Sequence, residues 1–410
     1  MIRIFPSTLC GTLAIQPSKS DAHRAVLAAA LSDGVSRIDH IAWSDDIRAT
    51  AQACEALGIA KVEMQQNFCA VTPTRAAGDP EVFCNESGST LRFILPLAMD
   101  GKRRIFRGKG RLLLRPMTMY AELCRKQGIL FEQTQEGITV QGVLRPDDFA
   151  LRGDVSSQFV TGLLFALPRL AGDSHISFLT PLQSRAYVDM TIETLERFGV
   201  RVKQTDNGFE IPGNQTFRSC DVSVEGDYSH AAFFAVGAAL SGDVTLTGLR
   251  ADSKQGDRAI FSLLAQMGAA VEKTHRVRAQ KLHGIDMDVS QVPDLVPALC
   301  VAACGAQGTS RIYNAARLRI KESDRLSAMT AELTKLGADI EEYPDQLIIH
   351  GTGSLHGGQV DSHGDHRIAM AMSIASCIAD GEIVLSNEQV VSKSAPAFYE
   401  EFSELGGKIQ

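Results

Sequence analysis

Hydroxyl and cationic side chains recur in this chain at one kind of place, the start of a helix. Ala-rich helices are expected to open at SKSDAHR (Ser18 to Arg24), SGSTLR (Ser87 to Arg92), SSQF (Ser156 to Phe159), DYSHA (Asp227 to Ala231), PDLV (Pro293 to Val296) and DHRIA (Asp365 to Ala369). Amphipathic helices are expected to begin near Arg115 (RPM), Ser184 (SRAYVD), Lys321 (KESDR) and Lys393 (KSAPAF). A helix N-terminus presents N–H groups without intrahelical partners and a partial positive charge, so Ser, Lys and Arg beside it complete an anion site. Taken singly, each motif also fits a capped helix or a surface ion pair. Their recurrence at equivalent places points to several helix starts gathered around anions.

Those places are equivalent because the chain repeats. An amphipathic helix, an apolar residue, a glycine and an alternating strand occur six times, with the glycine at 58, 128, 199, 268, 337 and 406. The separations are 70, 71, 69, 69 and 69 residues, and glycine is the residue that ends a helix in the left-handed conformation without a Cβ penalty. A second series, Gly34, Gly101, Gly172, Gly242, Gly308 and Gly381, follows the Ala-rich helices in step with the first. Each unit therefore reads strand, buried helix, strand, amphipathic helix, strand, strand, and a helix apolar on all faces must lie inside its domain. The fold class expected is α/β, a two-domain inverse α/β fold of three such units per domain. The sixth unit ends at GGKIQ without its last strand, which MIRIF at the N-terminus can supply. The domains expected are 13–226 and 227–410, the latter completed by a strand from 1–12.

Composition narrows the function classes. With 410 residues, 44% hydrophobic and 22% charged, the chain can fill two cores. A net charge of −7 argues against nucleic acid or an anionic membrane as the main partner. No apolar run approaches the roughly 18 residues a membrane span needs. Nine cysteines without a CxxC pair, and no basic flank ahead of an apolar N-terminal run, lead to an expected cytoplasmic location. Cys300 and Cys304 lie one helical turn apart with no further ligand nearby, so they read as core residues rather than a metal site.

Taken in order, PSKSDAHRAVLAAAL, SGSTLRF, LLLRPM, GDVSSQFVTGLL, VPDLVPAL, LRIKESDRL, GDHRIAMA and VSKSAPAFYEEF resemble the 5-enolpyruvylshikimate-3-phosphate synthase family (3-phosphoshikimate 1-carboxyvinyltransferases). The resemblance covers nearly the whole chain. It implies transfer of the enolpyruvyl group of phosphoenolpyruvate to the 5-hydroxyl of shikimate 3-phosphate, by addition and elimination through a tetrahedral intermediate, in aromatic amino acid biosynthesis. It also implies helix N-termini facing a cleft between two domains. Carried over by motif, Ser20, Arg24, Ser156, Ser157, Gln158, Ser184, Tyr187, Asp294 and Lys321 would hold shikimate 3-phosphate. Lys19, Gly88, Arg115, Gln158, Arg325, Arg367 and Lys393 would surround phosphoenolpyruvate. Asp294 would be the base at the hydroxyl, Glu322 the proton donor and later acceptor at the methylene carbon, and Lys19 a shared electrostatic and acid group. No cofactor or metal is expected, since cations already offset the substrate charges, and a monomer is expected.

Two positions depart from the family pattern. Glu86-Ser87-Gly88-Ser89 stands where many members have Asn-Ala-Gly-Thr, which brings an acid near an anion site, and Arg317 stands where an Asn is often found. Two rival readings follow. One is a UDP-N-acetylglucosamine enolpyruvyl transferase, whose loop before Arg-Pro carries a Cys that is absent between Arg107 and Arg115. The other is a catalytically silent anion-binding homologue.

Overall fold

The computed structural model describes residues 1–410. The chain forms two compact units, Met1–Gln16 with Gly226–Gln410, and Pro17–Glu225. The crossings thus lie at 16/17 and 225/226 rather than at the expected 12/13 and 226/227. Residues 13–16 belong with the C-terminal unit because strand Leu9–Ala14 pairs along its whole length with strand Gly242–Thr247.

Six four-stranded sheets share one order, first, second, fourth, third. In the second of them, Glu81–Phe83 runs parallel to Arg104–Arg107, and Ile138–Gln141 then pairs antiparallel with both Arg104–Arg107 and Leu130–Gln133. The turn glycines of the first series all have positive φ, from 68° at Gly128 to 104° at Gly268, as the end of a helix followed by a reversal requires.

The first strand of two sheets comes from far along the chain. The strand before the first buried helix, Leu9–Ala14, enters a sheet of the C-terminal unit, and the strand before the fourth buried helix, Val222–Ser223, pairs with Ser36–Asp39 in the other unit. The N-terminal strand Ile2–Phe5 sits between Ile383–Ser386 and Lys408–Ile409, antiparallel to both.

The core of each unit is helical. In the C-terminal unit, Tyr228–Ser241, Val296–Gly305 and His366–Ala375 pack on one another. Val296–Gly305 is apolar all round, and nine of its ten residues are buried, because no face can be left to water without cost. In Pro17–Glu225, helices Gly88–Ile94, Ser157–Ala166, Arg185–Arg197, Lys19–Ala30 and Asp45–Ala56 pack each on the next around a closed ring. Gly162 makes one of these contacts close: a Cβ there would lie 2.2 Å from the Arg92 carbonyl and 2.3 Å from the Tyr120 hydroxyl. No helix is long and apolar enough to cross a membrane.

Candidate anion-binding site

Within Pro17–Glu225 the serines of the motifs cap the helices they open. Ser18 accepts from the Asp21 N–H, Ser87 from that of Thr90 and Ser156 from that of Gln158. Gly88, the first residue of its helix, faces a cluster: a Cβ on it would lie 2.7 Å from Arg115 Nη1, 3.4 Å from Gln158 Oε1 and 3.5 Å from Arg92 Nη1. Gln158 Oε1 accepts from Arg92 Nη1 at 2.7 Å, and its Nε2 donates to Ser89 Oγ at 3.1 Å, which fixes which way the amide points. The backbone under Arg115 is held by Gln133 Nε2, which donates to the Leu113 and Arg115 carbonyls at 2.7 and 3.0 Å.

Lys19 is tied to the same helix start. Its Nζ donates to Asp46 Oδ2 at 2.9 Å, and the Asp46 carbonyl accepts from Thr90 Oγ1 at 3.4 Å. Arg24 is buried one turn along from Ser20. It donates to Thr191 Oγ1 at 2.9 Å, to the Tyr187 carbonyl at 2.8 Å and to the Ser20 carbonyl, so it braces helix Lys19–Ala30 against helix Arg185–Arg197. Burial lowers its guanidinium to about 10, still charged at neutral pH. Ser157 and Ser184 are both buried, and Ser184 takes a left-handed φ of 54° at its helix start.

In the C-terminal unit the chemistry gathers on Asp294. Its Oδ1 accepts from Arg325 Nη1 at 2.9 Å and Lys321 Nζ at 3.2 Å, and its Oδ2 from Arg367 Nη2 at 3.2 Å. Burial works against the Asp294 charge, but Arg367, Lys321 and Arg325 outweigh it and hold the carboxyl well below the usual range. Arg325 is 1% exposed and also donates to Glu322 Oε2 at 2.9 Å and to Asp365 Oδ2 at 2.8 Å. Asp365 in turn caps helix His366–Ala375 through the Arg367 N–H. Lys393 ends the 3-10 helix Glu388–Lys393 and is buried.

Three helices expected near Arg115, Lys321 and Lys393 start a few residues further on, at Thr118, Arg325 and Phe398. Arg115, Lys321 and Lys393 do not open α-helices. Arg115 lies three residues before helix Thr118–Gln127 with an extended ψ of 140°, and Lys321 lies four residues before helix Arg325–Lys335. Pro116 explains the first, because a residue before proline is pushed out of the helical region. The Glu86 carboxylate lies against Gly110, whose Cβ would fall 1.7 Å from Glu86 Oε1. Arg317 donates to the Ser290 carbonyl at 2.8 Å.

Sequence reasoning missed Arg92, Asp46 and Asp365 as members of these clusters. Arg92 had a signal, since it follows Gly88 by four residues and so shares its helical face. Asp46 and Asp365 had none beyond helix-start composition.

The chain is similar to known proteins over nearly its whole length. The EPSP synthase (3-phosphoshikimate 1-carboxyvinyltransferase) family model matches residues 5–402. The 3-phosphoshikimate 1-carboxyvinyltransferase of Clostridium kluyveri is 46% identical over 418 residues, covering 100% of this chain and 98% of that protein. The enzyme of the same name from Clostridioides difficile is 44% identical, with the same coverage. Among solved structures, an EPSP synthase from Acinetobacter baumannii superposes with a TM-score of 0.82 at 27% identity, covering 100% of this chain and 99% of that one. The enolpyruvyl transferase NikO from Streptomyces tendae has a TM-score of 0.80 at 18% identity, covering 100% and 98%, and shares the fold alone. The chain belongs to the EPSP synthase (3-phosphoshikimate 1-carboxyvinyltransferase) family.

Proposed function

We propose that the chain carries out the family's reaction, transfer of the enolpyruvyl group of phosphoenolpyruvate to the 5-hydroxyl of shikimate 3-phosphate with release of phosphate. The observation that carries the assignment is the convergence of Arg115, Arg92 and Gln158 on Gly88 at a helix start. A glycine there lets two guanidinium groups come up against the helix start, where they and the backbone N–H groups would hold a small anion. Lys19, Gly88, Arg115, Gln158, Arg325, Arg367 and Lys393 are assigned to phosphoenolpyruvate. Ser20, Arg24, Ser156, Ser157, Gln158, Ser184, Tyr187, Asp294 and Lys321 are assigned to shikimate 3-phosphate.

Asp294 is the base at the 5-hydroxyl and Glu322 the acid at the methylene carbon, with Lys19 as a further cation. In the structure Asp294 is a weak base, because three cations stabilise its charge. Substrate anions that draw Arg367 and Lys321 away raise its proton affinity when a proton has to be taken. Glu322 protonates the methylene carbon during addition and takes that proton back as phosphate leaves, while the hydroxyl proton held by Asp294 passes to the departing phosphate, so the proton transfers balance. The protein is proposed to act as a cytoplasmic monomer. The nine cysteines, all without a disulfide, suit a reducing compartment.

The test is phosphate release on mixing the protein with shikimate 3-phosphate and phosphoenolpyruvate, run beside UDP-N-acetylglucosamine as acceptor. Release with the first acceptor and none with the second is expected. No release with either would favour a silent anion-binding protein. Sedimentation velocity checks the monomer.

A further inference from the structure

Asp257 lies in the single turn Gly256–Arg258 of the C-terminal unit, 2% exposed. One of its oxygens accepts from Ser229 Oγ, at the start of helix Tyr228–Ser241, and the other, Oδ1, is buried with no hydrogen-bond partner. It makes no ion pair, unlike Asp294 and Asp365. That helix packs on the turn Gly256–Arg258, on the turn Pro293–Leu295 that carries Asp294, and on helix His366–Ala375, whose second residue is Arg367. A buried carboxylate with one hydrogen bond is costly unless it holds a proton or finds a cation.

The charges acting on Asp257 are those of Asp294 and Arg367, with Asp227 adding from the cap of the Ser229 helix. Its chain neighbour Arg258 is turned to the Ser253 carbonyl. Burial first, and then the Asp294 charge, push its carboxyl up to about 6, against the pull of Arg367.

We propose that Asp257 is a positioning residue for the Asp294–Arg367 pair, whose charge state sets how strongly Arg367 can hold a substrate anion. With its proton on, Asp257 leaves the Arg367 charge to Asp294 and the incoming anion. With the proton lost, a further carboxylate competes for that guanidinium and the anion is held less well. The inference rests on the assignment of Arg367 to phosphoenolpyruvate.

The experiment compares wild type with Asp257→Asn, measuring kcat/KM for phosphoenolpyruvate at saturating shikimate 3-phosphate from pH 5 to 8.5. Ionisation of the substrates affects both proteins alike and cancels in the ratio. The variant-to-wild-type ratio is expected to climb with pH, by about three- to tenfold, the effect of one nearby charge in a partly screened interior. Ser229→Ala removes the hydrogen bond that favours the ionised form, so the wild-type decline is expected to move to higher pH. A ratio flat across the range, with wild type active, overturns the proposal and leaves the enzymatic assignment standing. If wild type turns over neither acceptor, sulfate binding decides, because its charge is constant over this range and other sulfate sites contribute equally to both proteins. A pH-dependent difference in sulfate affinity between wild type and Asp257→Asn supports the role, and equal affinities at every pH overturn it. Should Asp257→Asn fail to fold, the same readings on Ser229→Ala apply, and an unmoved pH profile overturns the role.

Discussion

In the unit Pro17–Glu225, Arg24 donates to a hydroxyl and two carbonyls, and Arg92 to an amide oxygen. In the C-terminal unit, Arg325 and Arg367 donate to the carboxylates of Asp294, Glu322 and Asp365. The first kind of partner fixes a guanidinium without cancelling its charge. The second cancels it, so an incoming anion has to take the cation from a carboxylate already in place. The Asp294 cluster is thus a charge network that has to rearrange if an anion is to bind its cations. Lys19, paired with Asp46 at 2.9 Å, follows the second pattern.

The contrast breaks most sharply at Arg325. Removing it takes a cation from buried Asp365 and from the half-buried Asp294 and Glu322, leaving the three acids with much of their compensation gone. Arg325→Ala is expected to cost about 3–5 kcal/mol of stability in urea unfolding. Arg24→Ala, which strands a hydroxyl and two carbonyls and withdraws a positive charge from near buried Asp21, is expected to cost about 1–3 kcal/mol. Equal losses would mean that the two kinds of partner do not differ in what they contribute.

Arg115 tests the other half of the comparison. Its loop is held through backbone carbonyls by Gln133, so truncating the side chain leaves the fold in place. Arg115→Ala is expected to lower kcat/KM for phosphoenolpyruvate by about a hundredfold, as loss of a charge-assisted anion contact does, with Tm near wild type. A large fall in Tm would make Arg115 a structural residue like Arg325. Gly88→Ala sharpens the same point. The new methyl meets the Arg115 guanidinium, the far end of a flexible side chain, so the group shifts and the helix stays. A rise of about tenfold in KM for phosphoenolpyruvate is expected, roughly one lost hydrogen bond, measured at fixed shikimate 3-phosphate.

What the sequence conveyed followed the range of the interactions. The six turn glycines were legible because helix termination is local chemistry, and all six have positive φ. The buried helices were legible because an Ala-rich segment apolar on every face has one place to go. The strand exchange was only half legible. Ile2–Phe5 was readable as the piece missing from the sixth unit, but Val222–Ser223 is two residues long, too short to leave an alternating pattern, and its partner lies some 180 residues away in sequence. At the site, Gly88, Arg115 and Gln158 stood in motifs. The burial of Asp257, within the polar run DSKQGDR, had no local signal, because what covers it comes from a separate helix.

Two buried groups carry the comparison to acid, with opposite signs. His23, 0% exposed, bonds Thr50 Oγ1 at 2.7 Å, and burial, helped by Lys19 and Arg24 against Asp46, lowers it from 6.5 to about 3. The unfolded chain therefore takes up a proton first, and the stability owed to neutral His23 is lost as pH falls from 6.5 through 3. Asp257 is raised from 3.8 to about 6, so its contribution is complete below 3.8 and lost as pH rises through 6. Between 3.8 and 6 each group contributes a slope of up to about 1.4 kcal/mol per pH unit, positive for His23 and negative for Asp257. Relative to wild type, Asp257→Asn should make the urea midpoint rise more steeply with pH over 4.5 to 5.5, and His23→Gln should make it rise less or fall. If the two units unfold in separate transitions, each change belongs to the transition of its own unit. A shared slope change in both variants would mean that neither group is buried in the charge state its surroundings favour.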